Sequence, residues 1–277
     1  MNTDGVRRGF KMNEKNGVGF LTVPSFEEAG GVVCAFSTRI GGVSPKPFDT
    51  LNFSLKREGN IDNFFENLTR FAAAAGFRAD RAVAINYAHS ARLHRAAASD
   101  AGRGITREKL AGICDGLYTD EEGLALVSFH ADCVPLFFFD KKRRAAAVCH
   151  AGWRGIAAHL TRNAVGSLVS LGSNAADILA AVGPCISAQN YEVGPEVRNV
   201  FVSEFGAETV IETNESARAD LSAACVVDML KCGIPARNIT VAGLCTYEKS
   251  ALFFSHRRDD GKTGAMAAVI ELKKEGL

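Results

Sequence analysis

The chain has 277 residues, of which 47% are apolar, so it can bury a large core. Its formal net charge of +1 removes the electrostatic case for nucleic acid or an anionic membrane surface. No apolar run approaches bilayer length, and the polar start MNTDGVRRGFKMNEKNGVGF lacks the apolar centre of a signal peptide, so a cytoplasmic location is expected.

In chain order, short apolar runs predict strands: GVGFLTVP, GVVCAFSTR, GLALVSFHADC, AAAVCHAGW, ILAAVGPC, ITVAGLCTY, ALFFSHRR and AMAAVIEL. Helical periodicity lies between them. DNFFENLTRFAAAAG stripes Phe64, Leu68, Phe71 and Ala72 and stops at Gly76. IAAHLTRNAVGSLVSLG stripes Ile156, Leu160, Ala164, Leu168 and Leu171 as one helix containing His159. GPEVRNVFVSEFG carries Pro195 in its first turn and stripes Val197, Val200, Phe201 and Phe205; RADLSAACVVDMLKCG ends at Gly233. Strands alternating with helices, without repeats or a linker, predict one layered α/β domain over 1–277 with a mixed β-sheet core flanked by helices. Strand order is not readable from these patterns. The eight cysteines form no C-x-x-C pair, so reduced thiols are expected and a structural four-cysteine zinc site is not.

Unusual residue types gather in HADCVP, CHAGWRG and SHRRDDGKTG, each after an apolar run. If the strands bearing Cys133 and His150 are neighbours, thiolate and imidazole meet at one edge of the sheet. Alternation sends Cys149 to the opposite face, and the same parity turns His130 away from Cys133. Such a pair can be core packing, a nucleophile with its base, or two metal ligands. A third ligand would decide for metal. His159 reads as part of an amphipathic helix and His94 as solvated, whereas His89 and His256 stay equal candidates on spacing.

STRIGGVSPKPFDTLNFS, DGLYTDEEGLALVSFHADCVPLFFFD, AAAVCHAGWRG, AAVGPCISAQNYEVGPEV and FFSHRRDDGKTGAMAAVI follow one another between Phe36 and Ile270. Together they resemble the YfiH-like or laccase-domain family, also labelled polyphenol oxidase-like and peptidoglycan editing factor. The resemblance implies His89, Cys133 and His150 as catalytic metal ligands. It also implies zinc as the cofactor and a purine nucleoside with phosphate as substrates: phosphorolysis of adenosine, inosine and methylthioadenosine, with adenosine deamination. The chain departs from the family pattern at Tyr87 (Gln is usual), at Ala265 (Arg is usual after T-G) and in extra residues between His89 and Asp115.

Within that reading, Arg39, Arg154, Arg257 and Lys262 are candidates for substrate or phosphate binding, and Gly41, Gly42, Gly152 and Gly155 for close backbone approach to an anion. Asp115 and Asp132 can orient a ligand, act as acid or base, or cap a loop; Trp153 can stack on a base or pack in the core. A monomer or small homo-oligomer is expected, with no nucleic-acid or membrane partner. Two other enzymes stand as alternatives. One is a cysteine hydrolase using Cys133 and His150. The other is a copper-dependent polyphenol oxidase, for which six histidines are too few to build a trinuclear cluster as well. The editing label adds a role on cell-wall precursors. The common zinc deaminase signature, H-x-E with P-C-x-x-C, is absent.

Overall fold

The computed structural model describes residues 3–212 and 216–274. The chain opens with β1 (Arg7–Arg8) and the hairpin β2 (Lys11–Lys15) and β3 (Val18–Thr22), then α1 (Pro24–Ala29) and β4 (Val32–Ser37). A loop bearing α2 (Leu55–Glu58) leads to α3 (Ile61–Ala75), β5 (Ala82–Ala84) and β6 (Leu93–Arg95). Four strands follow: β7 (Gly116–Thr119), β8 (Ala125–His130), β9 (Val134–Asp140) and β10 (Ala145–Ala151). Next come α4 (Trp153–Ala157), α5 (Leu160–Ser170), β11 (Leu179–Val182), β12 (Glu192–Val193) and α6 (Pro195–Phe205). The chain closes with β13 (Val210–Glu212), β14 (Ala217–Ala219), α7 (Leu221–Lys231), β15 (Ile239–Val241) and β16 (Met266–Leu272).

Two mixed sheets dominate. One has seven strands in the order β1-β15-β11-β9-β10-β7-β6, the other six in the order β2-β3-β4-β16-β8-β5; β12-β14-β13 form a small third sheet. The period-2 geometry of a strand explains how they stack. In β9, Val134, Leu136 and Phe138 join a core with α4–α7, whereas Phe137 and Phe139 join a second core with Phe36, Leu126, Met266 and Ile270 of the other sheet. In β16, Ala267 and Val269 turn away from that second core and pack against Phe64, Leu68 and Phe71 of α3. The layers therefore run helices, seven-stranded sheet, six-stranded sheet, helix. This is the expected α/β class with a helix-flanked mixed core, and the core is two sheets face to face.

Three elements differ from the sequence expectation. GLALVSFHADC is a strand only as far as His130, and Cys133 leads instead into β9, which is not among the expected strands. ALFFSHRR forms no strand: Phe253 and Phe254 are fully buried in the inter-sheet core from a loop, where they fill space without pairing in a ladder. The helix expected through His159 is broken there. His159 adopts φ 59° between α4 and α5, and its ring lies 3.2 Å from Asp228 and 3.3 Å from Glu204. All eight cysteines are unpaired. No helix among the described residues is long and apolar enough to cross a membrane.

Candidate metal and substrate site

His150 occupies the inter-sheet face of β10. Its neighbours Cys149 and Ala151 belong to the helix-side core, and Val148 to the inter-sheet core. Cys133 directly precedes β9, where Pro135 pairs with His150, so the start of β9 and the end of β10 lie together. The alternation that separated Cys149 from His150 thus describes the molecule. Parity failed for His130, because it was carried through a turn. β8 and β9 belong to different sheets, and Asp132 turns the chain between them with φ 91°. The His130 ring consequently sits 5.1 Å from that of His150. Its Nδ1 is 3.1 Å from the Cys133 carbonyl oxygen and its Nε2 is 2.7 Å from Ser128 Oγ.

His89 arrives on the loop after β5, with φ 58°. The fully buried Asp115 holds that loop: its carboxylate accepts the backbone N–H groups of Ala88, His89 and Ser90 and the Ser90 hydroxyl. The Asp115 carbonyl accepts the His150 N–H at 2.7 Å. One residue therefore positions two of the three candidate ligands. Those ligand atoms, on His89, Cys133 and His150, all lie within 4.8 Å of one another.

Burial alone would push the Cys133 thiol up, but His150 and His89 beside it outweigh burial and hold it well below the ordinary thiol range. Burial would lower His150, and the Cys133 thiolate and Asp115 outweigh it, so His150 is held up. Cys149 and Cys225 are pushed the other way by burial and stay protonated thiols. Cys133 alone of these three is charged, in a setting where two imidazoles face it.

Two features fit a metal ion here. His150 Nδ1 is buried without a hydrogen-bond acceptor; Asp115 Oδ1, at 3.5 Å, is too long for a good one but near enough to orient the ring. A Cβ on Gly152 would lie 2.8 Å from His89 Cδ2 and 3.2 Å from Cys133 Sγ, so the glycine keeps the ligand cluster open on that side.

The cluster borders a cavity of about 950 Å³. Trp153, Tyr191 and Tyr87 supply aromatic wall, and Arg154 and Arg257 supply charge. The Arg154 guanidinium lies 4.3 Å over Trp153, and that of Arg257 5.1 Å over Tyr191. The Tyr191 hydroxyl is pushed up to about 12, by burial first and then by the Cys133 thiolate, while Arg257 and Arg154 pull against them. It is therefore a neutral donor at ordinary pH. Tyr87, in the place where the family pattern has Gln, packs its ring 4.8 Å from His150. Gly104, Ile105 and Lys109 of the extra segment line the same cavity, so that segment walls the site.

Arg39 and Lys262 are not among the cavity-lining residues. Arg39 is committed to Asp49, to the Ser250 carbonyl and to the face of Phe254, so it braces loops. The Lys262 N–H bonds to the Asp259 carbonyl in a turn of the SHRRD loop. Gly41 and Gly42 are packed against the backbone of residues 17–18 and 50–51, and serve close chain packing there. Asp132 is an anchor: its carboxylate accepts Thr246 Oγ1, Ser255 Oγ and the Arg257 N–H, which fixes the loop bearing Arg257. Sequence reasoning missed Arg57, Lys109, Tyr191 and His130 as cavity residues. The extra segment was the signal for Lys109; nothing in LKREGN marked Arg57.

Residues 33–273 match the family described as multi-copper polyphenol oxidoreductase laccase. The chain is 34% identical to the purine nucleoside phosphorylase YlmD of Bacillus subtilis over 88% of its length and 89% of the relative's. It is 32% identical to the purine nucleoside phosphorylase YfiH of Escherichia coli, over 91% of this chain and 98% of that one. The crystal structure of YlmD from Geobacillus stearothermophilus superposes with a TM-score of 0.88 at 33% identity, covering 96% of this chain and 99% of that chain.

Proposed function

Since the chain belongs to the laccase-like family that includes the YfiH and YlmD proteins, we propose that it is a zinc-dependent purine nucleoside phosphorylase, with adenosine deamination as a second activity. The observation that carries this reading is the His89–Cys133–His150 cluster bordering a cavity walled by aromatic rings and guanidinium groups. Two imidazoles and a thiolate would leave zinc an open fourth position, where it supplies Lewis acidity to a substrate oxygen or a bound water.

The chain's own residues supply the rest. Arg154 and Arg257 make no carboxylate ion pair among the described residues, so their charge is available to a phosphate. Trp153 and Tyr191 offer flat apolar faces to a base. The Tyr191 hydroxyl, held in its neutral form, can donate to a heteroatom of the substrate. In phosphorolysis a phosphate oxygen forms the bond to the ribose C1′ as the bond from C1′ to the purine nitrogen breaks. The purine leaves with that electron pair and takes up a proton. Positive charge beside the phosphate and a donor beside the base both serve that step.

The cysteine-hydrolase reading keeps one observation in its favour, the Cys133 thiolate paired with a charged His150. A laccase-type copper enzyme fits less well. Among the described residues a single His/Cys/Asp/Glu group could hold a metal, and a trinuclear cluster needs more histidines than surround it.

The test is incubation of purified protein with inosine and phosphate, following hypoxanthine and ribose-1-phosphate. Turnover that is lost on chelation and restored by zinc supports the reading. Turnover of an ester or amide that survives chelation would move the assignment to the hydrolase. Ammonia release from adenosine without phosphate tests the second activity.

A further inference from the structure

We propose that Arg57 is a phosphate-binding residue of this chain, supplying from α2 the charge that Ala265 cannot. The assignment rests on the phosphorolysis reading of the same cavity.

Arg57 and Ala265 both line the cavity and are joined at one corner of it. The Phe53 N–H bonds to the Ala265 carbonyl, and the Ala265 N–H bonds to Asn52 Oδ1. The Arg57 guanidinium then crosses the gap, with Nη1 donating to the Thr263 carbonyl at 3.1 Å and the Gly264 carbonyl at 3.4 Å. It therefore rests on the backbone beside residue 265, whose own side chain is a methyl group. The short helix beneath it is fixed by its neighbour Glu58, whose carboxylate accepts from Ser44, Asn52 and Asn63.

The donor count leaves the guanidinium incomplete. Of its five N–H groups, Nη1 spends its pair on the two carbonyls and Nη2 donates one to His256 Nδ1 at 3.1 Å. Nε and one Nη2 hydrogen have no protein acceptor among the described residues. Two donors on one guanidinium are the number a bidentate phosphate contact uses. Arg57 also makes no carboxylate ion pair among the described residues, in contrast to Arg39, Arg162 and Arg258. Because a guanidinium cannot accept, the contact to His256 makes that Nδ1 the acceptor. His256 lines the same corner of the cavity.

The experiment compares wild type, Arg57→Ala, Arg57→Lys and the double variant Arg57→Ala/Ala265→Arg. Each is measured in two ways: phosphate kinetics with inosine, and calorimetric titration of inorganic phosphate into zinc-loaded protein. We expect Arg57→Ala to raise the phosphate KM and Kd together by ~10-fold or more, as loss of a charged bidentate contact does, with the inosine KM little changed. Arg57→Lys should recover part of that loss. The double variant should recover most of it, because the charge returns from the other side of the corner. Unchanged phosphate Kd in a folded Arg57→Ala protein would overturn the assignment, whatever its turnover. If wild type binds phosphate through Arg57 but cleaves no purine nucleoside, phosphorolysis fails and the phosphate-binding role of Arg57 stands.

Discussion

The Asp115 carboxylate accepts the backbone N–H of His89 at 3.0 Å, across 26 residues of chain. The same carboxylate is the acid nearest to His150 Nδ1. Asp115 thus sets the relative placement of two imidazoles without itself belonging to the ligand cluster. Asp115→Asn keeps the shape and removes the charge. The expected outcome is a fall in zinc affinity of ~10–100-fold, the range typical when a carboxylate behind a metal-bound histidine is lost. Competition with a chromogenic chelator measures it, and unchanged affinity would show that Asp115 only shapes the loop.

Gly152 offers a sharper test of the open side of the cluster. Its φ of −78° is accessible to any residue, so Gly152→Ala should fold. The new Cβ would meet His89 Cδ2 and Cys133 Sγ, with His89 Nε2 at 3.6 Å. Zinc stoichiometry is expected to drop well below one with the circular dichroism spectrum intact. Full zinc loading would count against the ligand set.

Cys133 should stand apart from the other thiols in metal-free protein. Its thiol titrates at about 6, so at pH 7 it is mostly the reactive thiolate, and alkylation slows as pH falls through that value. Cys149 and Cys225, driven upward by burial, should stay unmodified. Peptide mass mapping after brief iodoacetamide treatment reads this, and added zinc should protect Cys133.

The inter-sheet layer carries the load of the fold. Phe137 is fully buried there among residues of both sheets. Phe137→Ala is expected to cost about 3–5 kcal/mol in urea unfolding, the usual range for emptying a buried aromatic site. A loss under about 1 kcal/mol would mean that the two sheets close over the gap.

Much of this is legible in the sequence. The stripes of α3, α5 and α6 are local, and each one names its buried face: Phe64, Leu68 and Phe71 pack where their spacing puts them. Cys133 and His150 are named as a pair through the wrong strand: GLALVSFHADC is β8, which ends at His130 in the other sheet. Cys133 meets His150 because it leads into β9, a strand absent from the expected set, whose Pro135 pairs with His150. What failed depended on distant partners. Arg39 looks like an anion binder until Asp49 and Phe254 are seen to claim it. Phe253 and Phe254 look like a strand until they are seen filling an inter-sheet gap from a loop. Arg57 lies in a polar stretch with no pattern, and only its position beside residues 263–265 singles it out. His89 needed the family resemblance, because the loop that presents it is held by Asp115.

The chain crosses from one large sheet to the other at residues 131–133, and this bears on more than catalysis. His150 belongs to the seven-stranded sheet, His89 follows a strand of the six-stranded sheet, and Cys133 lies on the crossing itself. An ion shared by these three residues would rivet two slabs that are otherwise held by apolar packing. Ligation would then be thermodynamically linked to keeping the sheets in register, since an ion that binds only the folded form raises its stability by mass action. The melting temperature would become a gauge of occupancy. Under metal starvation the protein would lose thermal resilience as well as any activity the ion supports.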